Sequence, residues 1–311
     1  MPSNWCDISF IIPSHRPSQN IRELIRDLMR LSVQVQIVLV DTSPTGDVVA
    51  SMRSELDDAR VVTQVLPSGD PGVARNMGLE LSVGRWISFV DDDDRLDIDA
   101  CEAAIKAGCL NNAAEILSFG FKIERGSETI LYTQTPTDLQ DALFASPLAF
   151  WRYFFRRDFL LQNELRFPGG IVGEDIVFLF RVLAKKPQFA AYRQIIYTYR
   201  PASTGASSVR DSRWLIIPQQ LSLAFIACED DELRAIWLST WRTNITAGLL
   251  SLPWRMRFQY VRSTKSTLQQ IPEGRLKLEA LGACVAQFAT LLKRKRFKSS
   301  QRPATLVPSS D

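Results

Sequence analysis

The 311-residue sequence predicts an α/β fold, a mostly parallel sheet with helices on both faces, followed by a helical C-terminal region. Three observations carry this. Short apolar runs alternate with helix-period segments from Ile8 to Phe121, and polar residues recur directly after those runs. Beyond Pro218 the strand-like runs stop while helical periodicity continues.

The elements follow in order. Ile8 to Ile12 is a first strand, Asn20 to Leu31 a helix, Val35 to Val40 a second strand, and a helical stretch runs through Met52 to Leu56. Val61 to Leu66 is a strand, Pro71 to Leu81 a helix, Trp86 to Val90 a strand, Asp99 to Ala107 a helix and Ile116 to Phe121 a strand. The pattern then becomes mixed: an aromatic segment Trp151 to Phe155, a Gly-punctuated loop Pro168 to Gly173, a helix from Glu174 to Ala184 and a strand Phe189 to Tyr199. Helices are expected over Leu221 to Ile226, Asp231 to Leu250, Trp254 to Ser263 and Leu276 to Lys293. This gives three segments: residues 1–215 as the α/β domain, 216–298 as the helical region, and a Ser- and Pro-rich tail, 299–311, expected to be disordered.

Composition narrows the classes of function. With 46% hydrophobic residues and a net charge of +3, the chain can bury a large core and carries no global basic excess that would demand a nucleic-acid partner. Five cysteines without a CxxC pair, and one histidine, His15, leave no Cys/His zinc cluster and suggest a reducing compartment. The opening reads as a first strand and not as an export signal, and no stretch reaches the length of a spanning helix. A cytoplasmic protein is expected, free or at the cytoplasmic face of a membrane.

In open parallel sheets ligands bind beyond the carboxyl ends of the strands, where His15, Asp41 and the run Asp91 to Asp94 fall. Four consecutive carboxylates after a buried strand repel one another unless a cation sits among them. Hard oxygen ligands suit Mg2+ or Mn2+, which keep positions for waters and phosphate oxygens. An acidic loop capping the next helix is the other reading.

The segment Pro71-Gly72-Val73-Ala74-Arg75-Asn76-Met77-Gly78, leading into Gly84-Arg85-Trp86-Ile87-Ser88-Phe89-Val90-Asp91-Asp92-Asp93-Asp94, resembles glycosyltransferase family 2. The resemblance implies a GT-A, Rossmann-like domain and transfer from a nucleotide-sugar donor to an acceptor hydroxyl, with inversion and a divalent metal, Mn2+ or Mg2+. It implies that Asp93 is the main metal ligand, with Asp91 beside it, and that Asp91 and Asp92 lie near the ribose and diphosphate; Asp94 is left to cap the next helix. Arg75 and Asn76 are expected to face the crevice, where the alternative is a solvated helix face.

The opening Ile8 to Arg16 resembles the family's first strand and nucleotide loop, which places Pro13, His15 and Arg16 at the donor, with His15 where an aromatic usually stacks on the base. After the second strand the family commonly carries two aspartates; here Asp41 is followed by Thr42, so Asp41 either binds base or ribose or starts a turn. Phe154 to Leu160, Leu165 to Phe167 and Gly173-Glu174-Asp175 are similar to family 2 enzymes of surface-polysaccharide synthesis. By that resemblance Asp175 is the catalytic base and Glu174 orients the acceptor, a carbohydrate or lipid-linked saccharide; the bland reading is two acids at a helix N-terminus. Arg200 resembles a Tyr-Arg strand end without the His that often follows. It would close over the diphosphate with Ser207 and Ser208, or form a structural salt bridge.

In the C-terminal region Trp237, Trp241, Trp254, Phe258 and Tyr260 alternate with Arg234, Arg242, Arg255, Arg257 and Arg262, and Lys293 to Arg296 form a basic cluster. Anionic lipid headgroups, a nucleic-acid backbone, or aromatics packed inward with arginines outside all fit this composition. A non-catalytic sugar-nucleotide or lipid-binding protein is the alternative to an enzyme. A nucleotidyltransferase lacks its expected Gly-rich, Lys-containing loop.

Overall fold

The computed structural model describes residues 6–53, 56–133, 149–170, 172–201, 211–228 and 230–271, with positions 280 and 282. The helix expected over Leu276 to Lys293, the basic cluster, the tail, Ser207 and Ser208 therefore lie essentially outside the described residues.

The first half builds strands β1 (Cys6–Ser14), β2 (Val35–Asp41), β3 (Val61–Val65) and β4 (Gly84–Phe89), all parallel, in the order β3-β2-β1-β4. Their apolar runs leave β2 buried throughout, as expected of strands covered on both sides. Helices α1 (Gln19–Leu28), α2 (Asp47–Ser51), α3 (Pro71–Leu81) and α4 (Ile98–Lys106) alternate with them. Helix α3 lies close against β1 because Gly78 carries no side chain: a Cβ there would sit 2.3 Å from Ile11 Cγ2.

The sheet continues beyond β4 in mixed directions. Strands β5 (Arg95–Leu96), β6 (Ile116–Arg125), β7 (Glu128–Tyr132), β8 (Tyr153–Arg156) and β9 (Phe189–Tyr199) complete the order β3-β2-β1-β4-β8-β6-β9-β5, with β7 paired to β6. Strand β8 runs antiparallel to both neighbours, whereas β6 and β9 are parallel. Parallel ladders still carry most of the paired residues.

Some elements differ from expectation. The helix expected through Met52 to Leu56 begins and ends earlier, at Asp47 and Ser51, because Ser43 Oγ accepts from the Asp47 amide and Asp41 Oδ2 from the Val49 amide. The Trp151 to Phe155 segment divides into a 3-10 turn, Phe150–Arg152, and β8. The strand from Ile116 runs on to Arg125 and turns back as a hairpin.

Helices α5 (Arg157–Gln162), α6 (Glu174–Ala184), α7 (Ile217–Ile226), α8 (Asp231–Ser251) and α9 (Trp254–Gln270) follow. Helix α6 is apolar nearly all round and is buried on two sides. Phe178, Leu179 and Val182 join the sheet core, while Ile176, Val177, Phe180 and Leu183 join a second core with Trp214, Leu221, Trp237, Trp241 and Tyr260. Each fully buried phenylalanine contributes about 2–3 kcal/mol. The first turn of α6 is thus clamped between the sheet and the helical region, and that turn carries Glu174 and Asp175.

Candidate active site

The aspartate run follows β4, and each member has a different surrounding. Asp91 accepts from Arg75 Nη2 at 2.7 Å. Asp92 Oδ2 accepts from the Ser14 hydroxyl at 2.5 Å, at the end of β1. Asp93 is exposed. Asp94 is fully buried, accepting from Tyr197 Oη at 2.7 Å and from the Arg200 amide at 2.7 Å. Asn20 ties the turn to α1, donating to the Asp92 and Asp94 carbonyls at 2.6 and 3.1 Å.

The electrostatics follow from this crowding. Burial, and then the charge of Asp91, push the Asp92 carboxyl up to about 6 against the Ser14 hydrogen bond. Although exposed, Asp93 is flanked by protein, and this desolvation with the charges of Asp91 and Asp92 pushes it up to about 7. Asp94 is raised well above the carboxylate range, first by burial and then by Asp91. Any cation entering the turn relieves this repulsion.

Arg75 links the run to the start of α6. It is buried, and its Nη1 donates to Glu174 Oε1 at 2.9 Å while Nη2 reaches Asp91. Its guanidinium lies 4.5 Å from the Phe150 ring centroid and 5.2 Å from that of Phe167. Burial opposes its charge, but the two carboxylates raise its pKa above the ordinary arginine value. Glu174 is raised by burial and by Asp175, with Arg75 pulling the other way. Asp175 is raised by burial, also against Arg75; one of its oxygens accepts from the Ile176 amide at 2.9 Å, and its side chain is only partly covered.

The approach to α6 is fixed by Asp70 and glycines. Asp70 caps α3 through the Gly72 and Val73 amides, and its other oxygen accepts from the Gly170 amide at 2.7 Å. Gly173 holds φ at 86°, and a Cβ on Gly72 would meet the Pro168 carbonyl at 2.7 Å. From α7, Gln220 donates to the Gly169 carbonyl at 3.0 Å. The Asp-Pro pair at 70–71, a cap followed by proline at N1, was a sequence signal for this anchor.

The expected residues are therefore placed as follows. Asp91, Arg75 and Glu174 form one bridged group, with Asp175 next to it, Asp92 tied to Ser14 and Asp93 at the surface. Pro13 is buried in β1, Arg16 is exposed just beyond it, and His15 Nδ1 lies 3.2 Å from the Thr42 carbonyl, with its ring also near Gly69. Thr42 thus holds the histidine at the strand ends.

The structure bears on five expectations, and for Asp41 and Arg200 it shows the turn and the salt bridge that the sequence left open as alternatives. Asp41 is fully buried, and its oxygens accept from the Ser43 and Val49 amides, so it builds the turn after β2. Asn76 both donates to and accepts from the Phe167 backbone at 2.9 Å, which makes it a tie between α3 and the loop before α6. Glu174 is turned inward onto Arg75. The Arg200 side chain pairs with Glu124 at 2.9 Å while its amide donates to Asp94. The cap of α4 is Asp97, not Asp94. Tyr197, whose hydroxyl also accepts from the Asp91 amide at 3.2 Å, was missed because it reads as an ordinary strand residue.

A metal fits this donor set in one way. Among the described residues no three His, Cys, Asp or Glu side chains converge as a complete cage. Asp91 keeps one oxygen clear of Arg75, and Asp93 is exposed. One or two carboxylates with open positions suit Mg2+ or Mn2+, which take the remaining ligands from water and phosphate.

The comparisons with known proteins agree with this architecture. The succinoglycan biosynthesis protein ExoO of Rhizobium meliloti is 28% identical over 195 residues, covering 57% of this chain and 56% of that protein, so the chain spans little more than half of this relative. Residues 1–349 of TarS from S. aureus, solved with UDP-GlcNAc, superpose with a TM-score of 0.73 at 18% identity, covering 94% of this chain and 92% of that one. The mannosyltransferase PcManGT from Pyrobaculum calidifontis, solved with GDP-Man and Mn2+, gives 0.56 at 15% identity over 96% and 84%. The fold is therefore of GT-A type. The family described as "Glycosyl transferase family 2" matches residues 9–171, just over half of the chain, and the chain belongs to that family.

Proposed function

We propose that this chain is an inverting, metal-dependent glycosyltransferase that moves a sugar from a nucleoside-diphosphate donor to an acceptor hydroxyl in cell-surface polysaccharide or glycolipid synthesis. The observation that carries this is the Arg75 bridge, which fixes the strand-end aspartates beside the Glu174–Asp175 turn. Family membership supports the reaction class. The succinoglycan name of the relative from Rhizobium meliloti supports the polysaccharide context, and the Mn2+ in the mannosyltransferase supports the metal.

Asp93 and Asp91 would hold the divalent ion, which when bound supplies positive charge to the departing diphosphate. His15 would stack on the base, with Pro13 and Arg16 beside it and Asp92 toward the ribose. Asp175 accepts the proton of the acceptor hydroxyl as its oxygen bonds to the anomeric carbon. The bond from that carbon to the diphosphate oxygen breaks, and its electron pair leaves with the nucleoside diphosphate. Attack from the side opposite the leaving group inverts the configuration. Glu174 and Arg75 keep Asp175 and Asp91 in register.

Thermal-shift screening of nucleotide sugars with Mn2+, followed by assay of donor cleavage, tests the reading. One donor should raise the melting temperature and be cleaved. Binding without cleavage in the presence of saccharide acceptors would instead favour a sugar-nucleotide-binding protein.

A further inference from the structure

Helix α9 has two unlike faces. Tyr260, Thr264, Thr267 and Leu268 are buried. Tyr260 lies against Gly248 of α8, where a Cβ would be 2.3 Å from its Cζ, and its hydroxyl donates to the Asn244 carbonyl at 3.2 Å. The outer face carries Trp254, 64% exposed, Phe258, 72% exposed, and Val261, 37% exposed. Positions i, i+4 and i+7 form one stripe along a helix. Leu250, 40% exposed, stands just before it at the end of α8.

The charge along α9 itself has one sign. From Leu233 to Pro272 the sequence has no Asp or Glu, but has Arg234, which pairs with Asp231 at 3.3 Å, and Arg242, Arg255, Arg257, Arg262 and Lys265. Arg255, Arg262 and Lys265 are exposed, and among the described residues none of the three has a carboxylate partner. The Arg255 guanidinium lies 5.5 Å from the Trp254 ring centroid. Arg257 is used internally, donating to the Leu252 and Leu250 carbonyls at 2.7 and 3.0 Å, so it pins the corner between α8 and α9. Trp237 and Trp241 belong to the second core and take no part in this surface.

We propose that the outer face of α9 docks onto an anionic phospholipid surface. An indole and a phenyl ring suit the boundary between headgroups and acyl chains, and flanking bases on long stems reach the phosphates. A second copy of the chain fits poorly, since it would set the same uncompensated positive charge against itself. Among the described residues no helix is long and apolar enough to cross a membrane, so the contact is one of lying on the surface.

Co-sedimentation of the full chain with vesicles of phosphatidylcholine, with and without phosphatidylglycerol, tests this. Binding is expected to the phosphatidylglycerol vesicles at low salt, at least about tenfold stronger than to phosphatidylcholine alone, and to weaken as salt rises. Trp254→Ala with Phe258→Ala, and separately Arg255→Glu with Arg262→Glu and Lys265→Glu, should each lower it about tenfold while circular dichroism and nucleotide-sugar binding stay unchanged. Lack of binding to anionic vesicles at low salt, or binding indifferent to both variant sets, would overturn the proposal. So would a dimer in analytical ultracentrifugation that Trp254→Ala with Phe258→Ala converts to monomer. Vesicle binding is read without donor or acceptor, so its failure is distinct from failure of the proposed reaction.

Discussion

Arg75 holds Asp91 and Glu174 at once, at 2.7 and 2.9 Å, and so joins the loop after β4 to the first turn of α6. Glu174 lies 99 positions further along the chain. Because both arms of the bridge are mostly shielded from water, removing the guanidinium leaves carboxylates with no counter-charge. Arg75→Met should lower unfolding free energy by about 3–5 kcal/mol in urea titration. Arg75→Lys should recover only part of this, since one ammonium cannot reproduce the fork.

The aspartate run makes stability depend on pH with a definite sign. In the folded chain Asp93 is pushed up to about 7 from an ordinary 3.8. Between those values the folded state holds a proton that the unfolded state has lost, so this group's contribution falls as pH rises through that window. Asp93→Asn should match the wild type near pH 4 and melt above it at pH 7.5 in the absence of divalent ions. Melting curves across pH check this, and equal pH dependence in the two proteins would count against it.

Added Mn2+ or Mg2+ should reverse that difference. A cation bound by the folded state alone stabilises it by mass action, by about 2.7 kcal/mol at a hundred times the dissociation constant. Calorimetric melting of the wild type should shift upward with added metal, and that of Asp93→Ala should not.

Tyr197 is predicted to matter although its side chain is fully buried. Its hydroxyl donates to buried Asp94 and accepts from the Asp91 amide, and its ring stacks on Trp151 at 4.3 Å. Tyr197→Phe keeps the stack and deletes the hydroxyl, with an expected cost of about 1–3 kcal/mol. Donor KM should rise more than kcat falls, because the turn proposed to hold the metal is loosened while Asp175 is untouched. Steady-state kinetics and denaturant titration separate the two effects.

Local signals were legible in the sequence, and long-range ties were not. The bounds of α3, α6 and β9 follow from periodicity, proline and glycine, and each matches the structure. The Arg75 to Glu174 tie depends on how β4, β8 and α6 pack, which no window of sequence contains. Asp41 and Asn76 have the residue types of ligand contacts, yet their polar groups satisfy nearby backbone at the turn after β2 and at Phe167. In the C-terminal region composition groups five aromatics, whereas the structure buries Trp237, Trp241 and Tyr260 and exposes Trp254 and Phe258. The helix phase relative to α7 makes that division.

The most direct test of the account is Asp175→Asn, assayed for sugar transfer by product analysis and for donor binding by calorimetry. The amide keeps the size of the carboxylate and cannot take the acceptor proton. Donor affinity should stay within about a factor of two while transfer falls by about 10²–10⁴. Near-wild-type transfer with intact donor binding would remove Asp175 as the base and contradict the account.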